Sequence, residues 1–368
     1  MRALILNERD PMHPKAGGAE VHVAEIFGRL AARGHEVVLA SSAFRGAASR
    51  ARCQGLEIWR LGALPVYYPR AAWTCASSTR AGRFDVVVEC LNKLPFLSPL
   101  YAGVPVLGLC HHLFGEAAFL QVAWPVAAAV FAVEKLVPRV FRASRFAVIS
   151  ESTRDDLIRR GVDPSRIEVH HPGIRQPEQA PLPLAARGRR IAYVGRLEPY
   201  KNVDVLLRAL AALLPRFPDA ELAVVGQGSD RERLERLAHE LGVAPRVRFT
   251  GFVDDATRDR LLASSRVCAC ASAKEGWGLT VIESSALGTP NVATDAPGLR
   301  DSVRDGETGF LAPLGDAQAF AARIGQLLAD DALALRMGEA ARAFARGFDW
   351  ERATDQMEAA LATALREA

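Results

Sequence analysis

The stretch that decides the fold spans residues 272–283 and reads Ser272-Ala273-Lys274-Glu275-Gly276-Trp277-Gly278-Leu279-Thr280-Val281-Ile282-Glu283. The preceding apolar run, 266–271, is typical of a buried strand, and the segment 280–287 predicts a helix. In a parallel α/β sheet, such a junction lies at the carboxyl end of a strand, where these folds bind ligands. The first turn of a helix offers backbone N–H groups and a positive dipole end, which suit a phosphate.

Two acids, Glu275 and Glu283, stand on either side of this junction. Two interpretations of Glu283 stay open at this point. It is the acidic member of a ligand site, or it closes a capping box with Thr280, three residues earlier.

The composition indicates a globular α/β protein of more than one domain. The chain has 368 residues, of which 49% are hydrophobic and 24% charged, and this length favours two domains. The first residues carry too short an apolar run for a signal peptide, and no long uncharged apolar stretch predicts a spanning helix. The six cysteines lack zinc-binding spacing and favour reduced thiols in a core. We therefore expect a cytoplasmic protein.

The net charge is +4. The basic excess is concentrated between residues 44 and 83, a stretch that contains seven arginines, one acid and four tryptophans or tyrosines. An anionic membrane surface or acceptor is one interpretation, and solvated loops are another. A nucleic-acid patch is a third, but no binding motif accompanies it, so we expect no nucleic-acid partner. The segment 119–145, with Trp124 and four basic residues, supports a membrane-facing surface on the first half.

The first half begins as a βαβ unit. A strand at 3–6 leads to a loop with Gly17 and Gly18, then a helix and a strand at 35–40, without the GxGxxG fingerprint of dinucleotide binding. Further strands at 56–60, 84–89, 104–109, 146–150 and 167–170, and helices at 116–142 and 152–160, predict a doubly wound domain. His111 and His112 directly follow one of these strands, and at most one of them is expected to face a ligand.

The proline-rich passage after residue 172 predicts an interdomain linker. We expect an N-terminal Rossmann-like domain at 1–174, a linker at 175–187, a second Rossmann-like domain at 188–348, and a final helix at 349–368 that packs back toward the first domain. Asn202 in the second domain and Ser152 in the first domain are expected to cap helices.

Three loops of the second half sit at carboxyl ends of predicted strands and are expected to converge. Arg196 and Lys201 supply two cations, and the N–H groups near Gly278, Leu279 and Thr280 supply neutral donors. Together they suit a diphosphate and the charge that develops as it leaves. No DxD triplet is present, so we expect no metal.

At this point the sequence resembles glycosyltransferase family 4. The resemblance covers the whole chain, and its motifs are Gly17-Gly18-Ala19-Glu20, Gly195-Arg196-Leu197 with Lys201-Asn202, Glu275-Gly276-Trp277-Gly278-Leu279 with Glu283, Ala286-Leu287-Gly288-Thr289-Pro290 and Asp305-Gly306 with Thr308-Gly309. It implies a GT-B fold, in which two Rossmann-like domains face each other across a cleft. It also implies a metal-independent, retaining hexosyltransferase that uses a nucleotide diphosphate sugar and needs no cofactor.

The resemblance also implies residue roles. Arg196 and Lys201 bind the diphosphate, Glu283 the ribose and Glu275 the donor sugar. His111, with His112 as the alternative, contacts the donor sugar. Other donor-binding residues are Gly17, Gly18, Gly226, Val253, Gly278, Leu279 and Thr280.

The acceptor implied is a sugar, a lipid-linked molecule or a glycan, as in synthesis of cell-envelope polysaccharide or glycolipid, with the enzyme peripheral on the inner face of the membrane. The alternative is a GT-B protein of another activity, such as an epimerase or a nucleotide-sugar binder without turnover. Glu275 argues against the binder, because a nucleotide-sugar binder without turnover would keep Glu283 and the cations yet lack productive contacts to the sugar.

Overall fold

The computed structural model describes residues 1–92, 94–115, 124–177 and 181–367. The chain divides into two units, of which the first is Met1–Gly173 with Asp349–Ala368 and the second is Ile174–Phe348. Each unit is a mixed α/β domain built on a largely parallel sheet, as the sequence predicts.

The first domain has an eight-stranded sheet in its described part, in the order β3-β4-β2-β1-β5-β6-β7-β8. All neighbouring pairs are parallel except β3 with β4. The central strands are continuous apolar runs because helices cover both faces of a parallel sheet. The strands are β1 Arg2–Leu6, β2 Glu36–Ser41, β3 Arg50–Cys53, β4 Leu56–Arg60, β5 Val86–Leu91, β6 Val106–Cys110, β7 Arg145–Val148 and β8 Ile167–Val169.

Six helices of this domain lie in its described part: α1 Gly18–Ala32, α2 Leu64–Arg80, α3 Trp124–Glu134, α4 Val137–Val140, α5 Glu151–Arg159 and the final helix, α13 Trp350–Arg366. The single helix predicted at 116–142 is corrected. Residues 116–123 lie outside the described residues, and the remainder forms α3 and α4, with Pro138 in the first turn of α4, where proline is tolerated. The predicted cap Ser152 is also wrong, because Ser150 accepts the hydrogen bond from the Thr153 N–H.

The basic stretch 44–83 forms β3, β4 and α2, of which β3 and α2 were missed by the sequence analysis. Trp59 and Tyr67 are buried in the core. The guanidinium of Arg50 lies 3.9 Å from the centre of the Trp59 ring, and Arg60 pairs with the buried Asp10 at 2.8 Å. Arg60, Trp59 and Tyr67 therefore stabilise the domain, whereas the other arginines of this stretch and Trp73 face solvent.

The second domain has a six-stranded parallel sheet in its described part, in the order β11-β10-β9-β12-β13-β14. Its strands are β9 Arg190–Val194, β10 Glu221–Val225, β11 Val247–Gly251, β12 Val267–Cys270, β13 Asn291–Thr294 and β14 Gly309–Ala312. Its helices are α6 Val203–Leu213, α7 Arg231–Glu240, α8 Asp255–Ala263, α9 Leu279–Ala286, α10 Leu299–Ser302, α11 Ala317–Ala329 and α12 Asp331–Ala345.

The predicted linker at 175–187 is a further difference. Its described residues group with the second domain, because they bond to that domain's last turns and loops. The Ile174 N–H donates to the Phe348 carbonyl, the Gln176 amide donates to the Phe348 and Ala345 carbonyls, and Arg187 donates to the Gly288 carbonyl at 2.8 Å.

The final helix α13 belongs to the first domain, where it packs on α1. Asp349 caps it by accepting from the Arg352 N–H. Arg33 at the end of α1 pairs with three acids of α13, at 2.7–2.8 Å: Glu351, Asp355 and Glu358. Among the described residues, none of the helices is long and apolar enough to cross a bilayer.

Candidate active site

Two loops at the carboxyl end of the second sheet lie side by side. One follows β9 and runs from 195 to 202, and the other follows β12 and runs from 271 to 278; β9 and β12 are neighbours in the sheet. The Ala273 N–H donates to the Tyr200 carbonyl at 2.9 Å, and the Asn202 side chain donates to the Ala271 carbonyl at 3.2 Å. These bonds bring Lys201 next to Glu275.

Asn202 therefore serves the site differently from its predicted role. It occupies the N-cap position of α6 in the left-handed region, with φ of 49°, and its side chain makes no cap hydrogen bond. The amide instead spans the two loops, which explains why an asparagine, a residue that tolerates this backbone conformation, stands here.

Lys201 and Glu275 form an ion pair through Nζ and Oε1. Their side chains are 12% and 20% exposed. Burial is the largest single effect and lowers the pKa of Lys201, but the Glu275 carboxylate together with Tyr200 and Cys270 outweighs it, so that this pKa lies above its ordinary value. Lys201 is therefore a cation, and an ammonium group has three donors, so the pair leaves donors for phosphate oxygens.

Arg196, the second predicted cation, is exposed and anchored through its backbone. The buried Tyr193 hydroxyl donates to the Arg196 carbonyl at 2.8 Å, while the Arg196 guanidinium donates to the Tyr200 hydroxyl at 3.0 Å. The backbone is thus fixed to the core, and most guanidinium N–H groups remain available to an anion.

The N-terminus of α9 adjoins these loops and lacks the capping box. Gly278 is the N-cap, with φ of 92°, and a Cβ there would lie 2.9 Å from the Ser302 Oγ. Thr280 is already inside the helix, so the alternative in which it pairs with Glu283 is wrong. The N–H groups of Leu279 and Thr280 open the helix and have no carbonyl to bond within it, which suits an anion.

Glu283 lies one turn further along α9, and its side chain is 24% exposed. Burial raises its pKa to about 7, against the opposing effect of Arg258, whose Nη1 lies 3.2 Å from Glu283 Oε1. Asp259 and Asp255 on α8 add to the increase. Near neutral pH this carboxyl therefore sits between its ionised and protonated forms.

The glycines after β10 serve the packing of the site. Gly226 has φ of 136°, and a Cβ there would lie 1.9 Å from the Gly195 carbonyl oxygen; at Gly228 it would lie 2.1 Å from the Leu197 oxygen. The Leu197 N–H also donates to the Gln227 carbonyl at 2.9 Å. The absence of side chains therefore lets the loop that carries Arg196 lie directly on the 226–228 loop.

Val253, predicted to contact the base, follows β11 and lines a cavity of about 440 Å³ between β11 and α8. Thr257 and Leu261 of α8 form part of its wall. The cavity is large enough for a small ligand.

In the first domain, Gly17 and Gly18 form the start of α1, and the Gly17 N–H donates to the Glu20 carboxylate at 2.7 Å. His111 directly follows β6 and is 3% exposed. Its Nε2 lies 3.0 Å from Nδ1 of His22, on α1. Complete burial lowers the pKa of His22 to about 3, so His22 is neutral.

His112 is half-buried, and its ring packs edge-on against Phe114. The structure thus turns the two adjacent histidines to different surroundings. His111 faces the buried His22, and His112 lies nearer the surface.

No group of three histidine, cysteine, aspartate or glutamate side chains within the described ranges could hold a metal ion. The charges at the site of the second domain come from Arg196, Lys201, Glu275 and Glu283.

Comparisons with known proteins agree with this architecture. The profile of glycosyltransferase family 4 matches residues 16–176, and that of the glycosyl transferases group 1 matches residues 175–344. A D-inositol 3-phosphate glycosyltransferase from Streptomyces scabiei is 30% identical, over 95% of this chain and 88% of the relative.

Solved structures share the fold across the chain. A sucrose-phosphate synthase from Thermosynechococcus elongatus superposes with a TM-score of 0.82 at 24% identity, covering 100% of both chains. The Anabaena protein HepE in complex with UDP-glucose gives 0.79 at 20% identity, covering 99% of this chain and 100% of HepE. The chain therefore belongs to glycosyltransferase family 4, has the GT-B fold and is a glycosyltransferase.

The sequence analysis missed two residues that touch the predicted site. Arg258 is one of several charged residues on a polar helix, so its spacing gave no signal. His22 lies between Val21 and Val23 in the helix predicted after the Gly17-Gly18 loop, and only the fold brings it into contact with His111.

The stacking of the two loops yields a first prediction. Gly226→Ala should destabilise the second domain by about 2–4 kcal/mol, because its Cβ overlaps a backbone oxygen and the residue has positive φ. Urea unfolding followed by tryptophan fluorescence measures the loss. Gly242→Ala is the matched control, since Gly242 has φ of 70° and nothing lies within 4 Å of its Cβ, so it should cost only about 1 kcal/mol. Equal losses in the two variants would contradict the packing role.

Proposed function

We propose that this glycosyltransferase moves a hexose from a nucleotide diphosphate sugar to an acceptor hydroxyl, with retention at the anomeric carbon and without a metal. The observation that carries the proposal is the meeting of Lys201, Glu275 and the start of α9 at one end of the second sheet. It supplies a cation, helix N–H donors and an acid within one continuous region of a single domain.

In this proposal Lys201 and the exposed guanidinium of Arg196 bind the diphosphate, and the N–H groups of Leu279 and Thr280 donate to it. These positive groups neutralise the charge that develops as the bond between the anomeric carbon and the diphosphate oxygen breaks. The acceptor hydroxyl attacks from the face that the diphosphate leaves, and a leaving phosphate oxygen takes its proton. No protein nucleophile is required.

In this proposal Glu275 accepts a hydrogen bond from the transferred sugar while it pairs with Lys201. Glu283 binds the ribose hydroxyls, and the backbone near Gly226 and Val253 contacts the base. The roles of His111, Gly17 and Gly18 toward the donor rest on the family resemblance and stay predictions.

Two classes of acceptor are proposed. One is an envelope glycan or glycolipid, which agrees with the basic first half of the chain. The other is a small phosphorylated polyol, favoured by the relative named D-inositol 3-phosphate glycosyltransferase. Assays with the identified donor and each acceptor class distinguish them.

The ion pair leads to a prediction on catalysis. Lys201→Ala should lower kcat/KM for sugar transfer by about 10²–10³, because loss of a cation at the leaving group removes charge stabilisation in the transition state. The measurement is the initial rate of transfer or donor hydrolysis. Wild-type turnover in this variant would overturn the diphosphate role.

Lys201→Ala also leaves Glu275 without its partner, so a second variant is needed. Lys201→Met combined with Glu275→Gln removes both charges with little change in volume and should fold like wild type while remaining inactive. Arg236→Leu, at an exposed position of α7, is the control for loss of a positive charge and should keep wild-type rates.

Metal independence and retention share one test. Transfer by the metal-stripped enzyme in EDTA should proceed at the rate measured with magnesium, since the proposed diphosphate ligands are all protein groups. NMR of the product should show the donor's anomeric configuration. Activity that returns only with magnesium, or an inverted product, would contradict the respective part of the proposal.

We also propose that the protein acts in the cytoplasm and docks on the inner face of an anionic membrane. The support is the solvent-facing side of α2, where Val66 and the 73% exposed Trp73 accompany Arg70. Wild-type protein should float with phosphatidylglycerol vesicles, and Trp73→Ser should reduce the bound fraction several-fold, because it removes an interfacial aromatic anchor. Phe252→Ser, which removes an 80% exposed aromatic of the second domain, is the control. Equal binding to neutral vesicles would contradict the proposal.

A further inference from the structure

Arg258 on α8 contacts Glu283 on α9 across the boundary between the two helices. Its Nη1 lies 3.2 Å from Glu283 Oε1. The same guanidinium donates to Asp259 Oδ1, from Nε at 3.0 Å and from Nη2 at 2.8 Å, and lies 3.2 Å from Asp255 Oδ1. Two acids of its own helix therefore hold the arginine, and its Nη1 lies between Asp255 of α8 and Glu283 of α9.

The position of Arg258 follows from the start of α8. Asp254 caps this helix by accepting from the Thr257 N–H, which fixes its first turn. Leu262, four residues after Arg258 and on the same face, is buried. Arg258 is consequently 21% exposed and directed along the inner face of the helix instead of into solvent.

We propose that Arg258 is a positioning residue for Glu283: it favours the ionised carboxylate and orients it so that the carboxylate can accept both ribose hydroxyls of the donor nucleotide. This inference rests on the proposed role of Glu283 in nucleotide binding. The ion pair engages Oε1 and leaves Oε2, with the second lone pair of Oε1, to the ligand.

The charges around Glu283 explain why such a residue is needed. Burial raises the pKa of Glu283 to about 7, Arg258 opposes this, Asp259 and Asp255 reinforce it, and Arg175 opposes it more weakly. The buried Cys268 thiol on β12 also interacts with this carboxylate. In the described part of the chain, α10 and α12, which also pack on α9, form no ion pair with Glu283.

The direction of the effect follows from these charges. An ionised carboxylate accepts two hydrogen bonds, so nucleotide binding should strengthen as the pH rises through the pKa of Glu283. Without Arg258, burial and the two aspartates raise the pKa of Glu283 further, so binding weakens at neutral pH and recovers at higher pH. A rise of one unit in a pKa near 7 lowers the ionised fraction at pH 7 about fivefold.

Isothermal titration calorimetry between pH 5.5 and 9 tests the inference on the full chain. The probe is whichever of UDP, GDP and ADP the wild-type protein binds most tightly. Arg258→Leu should bind it about fivefold more weakly at pH 7, with the midpoint of its affinity against pH shifted upward by about one pH unit. Arg258→Lys, which keeps the charge, should restore most of the midpoint, and Arg236→Leu should leave it unchanged.

Glu283→Gln separates the inference from the function on which it rests. It should weaken binding. It should also abolish the pH dependence near pH 7, once the contribution of phosphate titration, which all variants share, has been subtracted. If Glu283→Gln binds like wild type, or none of the three nucleotides binds, the proposed nucleotide site itself fails. If Glu283→Gln weakens binding but Arg258→Leu keeps the wild-type midpoint, Arg258 only ties α8 to α9 and the positioning role is overturned.

Discussion

The ion pair between Lys201 and Glu275 is the interaction on which the site of the second domain depends. It exists because β9 and β12 are neighbours in the sheet, although the two residues lie 74 positions apart in the chain. The loops that carry them are held together by the backbone hydrogen bond from Ala273 to Tyr200 and by the Asn202 side chain, and the first of these loops packs on Gly226 and Gly228. An ion pair held in a partly buried place supplies groups prepared for a charged ligand.

The fold and the main members of the site could be predicted from the sequence. Apolar runs separated by helical periodicity identify a parallel sheet, and the carboxyl ends of its strands localise Lys201 and Glu275 to one edge. The edge strand β3 was missed because its Arg50 and Arg52 alternate with small residues, and α2 was missed because Pro65 and Pro69 suggest a loop. Tertiary packing overrides these local preferences.

The predictions that were wrong concern details that are set by contacts between distant segments. Thr280 and Glu283 have capping-box spacing, but Gly278 adopts a φ of 92° and is the N-cap, two residues before Thr280. Glu283 then faces α8. The Asn202 side-chain amide donates a hydrogen bond to the Ala271 carbonyl instead of capping its own helix. Arg258 becomes relevant only because α8 and α9 pack together, and no pattern along the chain reports that contact.

The central claim is that the second domain binds a nucleotide diphosphate sugar through groups gathered at the carboxyl end of its sheet. Calorimetric titration of the purified protein with UDP-, GDP- and ADP-hexoses tests it most directly. We expect at least one of them to bind, the matching nucleoside diphosphate to compete with it, and the free hexose to fail to compete at similar concentrations. Binding of none of the three, or binding that the nucleoside diphosphate leaves unaffected, would contradict the account.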